Sequence, residues 1–278
     1  MKRMARKERK ERLDKLLVDR GLVETRNRAQ ALILAGKVRV DGAVVTKAGT
    51  PIASERRLEV EEGQRWASRG AHKLLRAFEV FPLEAEGRVC VDIGASTGGF
   101  TDVLLDRGAR RVYAVDVGYG QLLWRLASDP RVTVMDRTNA RNLTPGDFEE
   151  PIGLAVCDAS FISLTLILPA IDAVLSETGE GAVLIKPQFE AGRERLGRGG
   201  VVRDPAVHAA VLDEVAAFIA QSTRLYAAGL TWSPILGPEG NMEFLCWLTR
   251  EPRELSVDIG ALVEEARLAL HLDRASAR

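Results

Sequence analysis

Several residues in this chain have the type and spacing to do acid–base work on a nucleophile. Val89-Cys90-Val91-Asp92-Ile93 is an apolar run that passes into Gly94-Ala95-Ser96-Thr97-Gly98-Gly99-Phe100. That is the pattern of a strand turning through glycines into a helix, where a cofactor can approach the backbone closely. Val183-Leu184-Ile185 ends in a lone lysine, Lys186, and Leu154-Ala155-Val156-Cys157 ends in Asp158. Glu243 opens the run Phe244-Leu245-Cys246-Trp247, and Lys73 lies in a helical stretch ahead of the first strand. Ligands of open α/β sheets sit beyond the carboxyl ends of the strands, so these groups would share one crevice. Taken singly, each reads as a strand-end salt-bridge partner. Two lysines and two carboxylates converging on one sheet edge favour a catalytic reading.

The Gly-rich turn also constrains the cofactor. A dinucleotide site needs G-x-G-x-x-G, and the middle glycine that lets the backbone meet a pyrophosphate is replaced by Ser96, which disfavours NAD. Asp116 closes Ala114-Val115-Asp116-Val117, 22 residues after Gly94, where a carboxylate can accept both hydroxyls of an adenosine ribose. An adenosine cofactor without a pyrophosphate fits, and S-adenosylmethionine is the common one. Asp92 either orders the turn, meets the methionine amino group, or caps the following helix.

The elements that must position these groups alternate along the chain. Strands are expected at Val89–Ile93, Arg111–Val117, Val132–Met135, Gly153–Cys157, Ala182–Ile185, Leu225–Trp232 and Phe244–Leu248, with helices starting at Gly99, Gln121, Leu164 and Ala206. This order predicts an α/β, Rossmann-like domain with a parallel-rich sheet and helices on both faces, over residues 70–270. The loop from Phe189 to Asp204 mixes Gly192, Gly197, Gly199 and Gly200 with Arg193, Arg195, Arg198 and Arg203, which reads either as an RNA-contacting lid or as a flexible loop.

A zero formal net charge conceals a division. Residues 1–76 hold 20 Lys and Arg against 10 Asp and Glu, while the remainder holds 19 against 29. A basic front joined to an acidic domain points to a polyanion partner. Within that front, Leu13–Val18 reads as a helix stopped at Gly21. Thr25 reads as the cap of a second helix ending at Gly36, and Val38-Arg39-Val40, Asp41-Gly42 and Val44-Val45 read as a hairpin. Arg26, Arg28, Lys37 and Arg39 cluster around the helix end and hairpin, as candidate RNA contacts. The run resembles the small α/β RNA-binding module named after ribosomal protein four of the small subunit, over residues 11–61. A linker is expected over 62–69, where Trp66 reads as an interface residue. Cys90, Cys157 and Cys246 each lie in an apolar run and read as reduced core thiols. No apolar leader follows Met1 and no 18-residue apolar stretch occurs, so a cytoplasmic, non-membrane protein is expected.

Several strings in order carry a wider resemblance: Ser68-Arg69-Gly70-Ala71-His72-Lys73-Leu74, Asp92 to Asp102, Cys157-Asp158-Ala159-Ser160-Phe161-Ile162-Ser163-Leu164, Leu184-Ile185-Lys186-Pro187-Gln188-Phe189-Glu190 and Gly240-Asn241-Met242-Glu243-Phe244. Through them the chain resembles the TlyA or haemolysin A family, whose catalytic domain is similar to FtsJ-type RNA ribose 2′-O-methyltransferases with a Lys-Asp-Lys-Glu tetrad. The resemblance implies S-adenosylmethionine-dependent methylation of ribosomal RNA, at cytidine, and ribosomal RNA or a ribosomal subunit as partner. It assigns the tetrad to Lys73, Asp158, Lys186 and Glu243, and the cofactor surroundings to Gly94, Ser96, Thr97, Gly98, Phe100, Thr101 and Asp116, with Asp136 near the adenine. No metal is needed. The alternative class is a non-catalytic RNA-binding or ribosome-assembly factor on the same scaffold. The membrane-lytic activity in the family's historical name finds no apolar segment to support it.

The implied reaction sets a requirement. A ribose hydroxyl is a poor nucleophile, so a base must take its proton, and Lys186 is the expected base. A free lysine titrates near ~10.4 and a useful base nearer ~7 to 8, a gap of roughly 4 kcal/mol. Burial and the charge of Lys73 push Lys186 that way, while Asp158 and Glu243 oppose it.

Overall fold

The computed structural model describes residues 10–23, 25–61 and 65–272, and the chain divides into two compact units between Arg65 and Trp66. The expected basic run before Lys10 and the first part of the expected linker, 62–64, lie outside the described residues.

In the first unit, β1 (Lys10–Arg12) leads into α1 (Leu13–Asp19), α2 (Arg26–Leu34), β2 (Val38–Val40), β3 (Ala43–Val44), β4 (Pro51–Ala53) and β5 (Leu58–Val60). Thr25 caps α2 by accepting from the Arg28 N–H. Gly21 and Gly36 stop the two helices with φ of +68° and +71°, as their positions predict. The hairpin β2–β3 turns through Asp41-Gly42, both at positive φ. β4 and β5 carry no strand signal in the sequence; they pair antiparallel with β1 and β2 and close a core of Leu13, Leu17, Ile33, Val38 and Leu58.

The second unit runs α3 (Ala71–Val80), β6 (Val89–Ile93), α4 (Gly99–Asp106), β7 (Arg111–Val115), α5 (Trp124–Ala127), β8 (Val132–Met135), β9 (Ile152–Cys157), α6 (Leu168–Val174), β10 (Leu175–Ile185), α7 (Pro187–Glu190), α8 (Pro205–Ser222), β11 (Tyr226–Trp232), β12 (Phe244–Thr249) and α9 (Ile259–Ala269). Its seven-stranded sheet has the order β11-β12-β10-β9-β6-β7-β8. Pairs from β10 through to β8 are parallel, and β12 runs antiparallel to both neighbours. Period-two alternation sorts the side chains: Val89, Val91 and Ile93 face the layer of α6, α8 and α9, while Cys90 faces α3 and α4.

Two expectations shift. The helix expected from Gln121 is the single turn of α5, because Gly118 and Gly120 precede it and Leu123 and Trp124 are exposed rather than packed. The strand expected from Ala182 begins at Leu175; its polar first half, Ser176 to Glu180, passes a register irregularity and gives no apolar signal. Residues 66–69 group with the second unit, where the Ala67 N–H donates to Asp102 Oδ2 at 2.8 Å.

Candidate active site

The sheet order reverses between β6 and β9, and there the chain ends of both strands come together. Gly94 leaves β6 with φ +84°, and a Cβ on it would lie 3.0 Å from the Ala159 backbone. Only glycine suits that conformation and that approach together. The turn continues through Ser96, a non-glycine residue at φ +47°, whose N–H donates to Asp116 Oδ2 at 2.8 Å. Asp116 Oδ1 accepts from the Gly118 N–H at 2.7 Å. The carboxylate is thus fixed at the end of β7 with lone pairs to spare. Together with Val115, Val117, Gln121, Asn139 and Ile162 it lines a cleft of about 360 Å³.

An adjoining cleft of about 480 Å³ is lined by Ser68, Lys73, Gly94, Ser96, Thr97, Phe100, Asp158, Lys186 and Gly237, among others. Lys73 comes from α3, Asp158 from the end of β9, Lys186 from the end of β10. Glu243 immediately precedes β12. Because β12 runs backwards, its start lies at the edge where the parallel strands finish, so all four groups meet. Lys73 Nζ is 2.6 Å from Glu243 Oε2 and 3.2 Å from Asp158 Oδ2; Lys186 Nζ is 2.6 Å from Asp158 Oδ1. Both lysine side chains are under a tenth exposed and Glu243 is 0% exposed. Glu243 Oε1 is buried without a hydrogen-bond donor. Burial, the largest single influence on Lys73, disfavours its charge, but Asp158 and Glu243 outweigh it and hold its pKa above the ordinary lysine value. That direction favours the charged form of Lys73.

Other expected residues sit elsewhere. Asp92, two residues beyond Cys90, shares its face of the strand, so its carboxylate points at α4 and accepts from Thr101 Oγ1 at 2.7 Å. Both residues are fully buried and line neither cleft; Asp92 orders the turn from beneath. Burial, opposed by the Thr101 hydrogen bond, pushes Asp92 up to about 7. Gly98, at φ +99°, backs onto Leu122 and Leu126. Asp136 Oδ2 accepts from the Gly120 N–H and is absent from the lining of the Asp116 cleft. In the first unit, Arg28 and Arg39 are exposed and Lys37 is half-buried, but Arg26 reaches the buried Asp14 at 3.1 Å and so has structural work. Burial raises all three thiols to about 12. Among the described residues no group of three His, Cys, Asp or Glu is placed to hold a metal, and no helix is long and apolar enough to cross a membrane.

Sequence reasoning assigned no role to four residues around the tetrad. Ser160 Oγ accepts from Lys186 Nζ at 2.8 Å. Glu190 accepts from Ser163 Oγ and the Leu164 N–H at 2.6 and 2.7 Å, pinning the loop that carries Ser160. Asn241 accepts from the Val202 N–H and donates to the Gly200 carbonyl, clipping the basic loop to the segment before Glu243. Gly237 lies where a Cβ would fall 2.2 Å from Glu243 Oε1. Ser160, Glu190 and Asn241 stand inside the motif strings; only their partners, distant in sequence, reveal what they do.

Residues 66–250 match the model of the FtsJ-like methyltransferases and residues 11–58 that of the S4 domain. The chain is 49% identical to the 16S/23S rRNA (cytidine-2′-O)-methyltransferase TlyA of Mycobacterium tuberculosis, over 89% of this chain and 93% of that protein. It is 40% identical to Hemolysin A of Brachyspira hyodysenteriae, over 84% of this chain and 98% of the relative. A solved structure from Streptococcus thermophilus, provisionally labelled a hemolysin, superposes with a TM-score of 0.73 at 42% identity, covering 96% of this chain and 99% of the other.

Proposed function

The chain belongs to the FtsJ-like methyltransferases and carries an S4 domain ahead of the catalytic one, and from that premise we propose that it methylates a ribose 2′-hydroxyl of ribosomal RNA, at cytidine, in the cytoplasm, using S-adenosylmethionine. The observation that carries the reading is the buried pair of lysines sharing Asp158 at the floor of a cleft that opens beside the Asp116 cleft. The relatives' names favour the same RNA chemistry.

The residues present fit the cofactor. Asp116 keeps lone pairs for two ribose hydroxyls, the walls of its cleft are apolar with Thr138 and Asn139 as polar contacts, and Ser96, Thr97 and Phe100 line the neighbouring cleft toward the tetrad. When bound, the cofactor supplies a methyl group already activated on a sulfonium. What the chain adds is alignment and removal of a proton. Lys186, once neutral, accepts the 2′-hydroxyl proton. Asp158 orients Lys186 and Lys73 together, and Glu243 keeps Lys73 charged. The S4 domain supplies phosphate contacts through Arg28, Lys37 and Arg39.

Mass spectrometry of ribosomal RNA from cells with and without the gene tests this directly. A cytidine 2′-O-methyl mark that depends on the gene is expected; identical modification maps in the two strains would refute it. Calorimetry with S-adenosylhomocysteine and with NAD tests the cofactor: only the former is expected to bind, and Asp116→Ala is expected to weaken it by about 1 to 3 kcal/mol.

A further inference from the structure

Lys186 Nζ is surrounded by three acceptors: Asp158 Oδ1 at 2.6 Å, Ser160 Oγ at 2.8 Å and the Asp158 carbonyl at 3.4 Å. An ammonium group has three N–H donors, so all three are engaged. A base needs the opposite state, with one proton fewer and a lone pair free. The carbonyl and the ionised carboxylate only accept, and the carboxylate would have to give up its ionised state, and with it the ion pair to both lysines, to hand a proton on. Ser160 alone both donates and accepts. It is also solvent-exposed, whereas Lys186 is 4% exposed. Its place at the rim joins the tetrad cleft, the Asp116 cleft and a third cavity of about 330 Å³ beside Phe189. Glu190 holds the loop that presents it.

We infer that Ser160 is the relay through which Lys186 discharges its proton to solvent and the residue that positions the neutral amine, an inference resting on Lys186 as the base. In the step, one N–H bond of the Lys186 ammonium breaks as an O–H bond forms at Ser160 Oγ. The proton Ser160 held passes to water in the cleft. The amine keeps the electron pair, with which it then takes the 2′-hydroxyl proton, and the same relay empties it after each transfer. Water is the only co-reactant. The charged groups facing Lys186 are Asp158 at the end of β9, Lys73 of α3 and Glu243 before β12, both reached through Asp158, and Glu190 of α7, which shares a small cavity with it.

The test uses the full-length protein with ribosomal RNA, measuring single-turnover and multiple-turnover methyl transfer across pH for wild type, Ser160→Ala and Ser160→Thr, with Lys186→Arg as control. Ser160→Ala removes an acceptor from the ammonium. The rate–pH midpoint is therefore expected to move to lower pH, and the plateau to fall on the order of tenfold or more. Ser160→Thr restores the hydroxyl and should restore both, which a merely local packing defect would not predict. Circular dichroism melting confirms that each variant folds. A wild-type midpoint and plateau in Ser160→Ala, alongside a dead Lys186→Arg, would overturn the relay and leave the base standing. Substantial turnover in Lys186→Arg would overturn the base reading and the relay with it.

Discussion

Two buried acidic clusters in this molecule answer the same electrostatic demand in opposite ways. Asp14, in the S4 domain, is 0% exposed, yet its two oxygens accept from Arg12, Arg26, Gln30 and the Lys15 N–H. Its cations stand half in solvent, at 53% and 54% exposure. Hydrogen bonding from Arg12, the leading cause, holds the Asp14 carboxyl well below the usual carboxylate range. In the catalytic domain the cations are buried too, and Glu243 Oε1 is left without a donor. A closed network whose arginines keep their hydration serves structure. An open one, with buried charge and spare bonding capacity, is costly to fold around and is what a site awaiting a substrate looks like.

Substitutions can break or sharpen that contrast. The largest effect is expected from Lys186→Arg, which keeps the charge but cannot deprotonate. Loss of methyl transfer by roughly 10²- to 10⁴-fold is expected with unchanged melting, checked by single-turnover kinetics. Next, Lys73→Ala strands Glu243 and should cost about 3 to 5 kcal/mol in denaturant titration. Arg26→Ala removes one of several exposed partners of Asp14 and should cost no more than about 1 kcal/mol. Equal costs for the two would erase the distinction drawn between the networks.

Asp92 offers a pH test. An acid whose folded pKa lies above its unfolded value favours folding below the unfolded pKa, near ~3.9, and that contribution is lost as pH rises through about 7. Asp92→Asn, which keeps an acceptor for Thr101, should flatten this dependence and raise the melting temperature of the ligand-free protein above pH 7. The full linkage is about 4 kcal/mol at most. A melting curve as steep in pH as wild type would show that Asp92 is ionised when buried. The smallest effect concerns the RNA face: neutralising Arg28, Lys37 and Arg39 should lower the salt slope of RNA binding by about 0.7 to 0.9 for each phosphate these side chains neutralise, with cofactor affinity unchanged. Arg26 is left out of that set because it serves Asp14.

The contrast also explains what could be read in advance. The meeting of Asp158, Lys186 and Glu243 was legible because each stands at one end of an apolar run, and sheet geometry sends such positions to one edge; Lys73, on a helix, was placed with them only through its motif string. The turn at Gly94 and the cap at Thr25 were legible for the same reason, since their chemistry is local. Asp92 was less so: strand alternation decides which face it joins, and only the packing of α4 shows that Thr101 takes its oxygen. Ser160, Glu190 and Asn241 had no local signal, because their partners Lys186, Ser163 and Val202 come from separate segments. β4, β5 and the first half of β10 were missed because short or polar strands are defined by their pairing, not their composition.

The reversed strand β12 has a consequence for how the enzyme comes into being. Translation delivers Lys73, Asp158 and Lys186 in that order, and Glu243 comes only just ahead of β12, the last strand in chain order, which slots between β10 and β11. Until it does, Lys73 lacks the carboxylate 2.6 Å away that helps keep it charged. A chain stalled anywhere before residue 243 can display the Gly-rich turn and three of the four charged groups, yet its site stays incomplete.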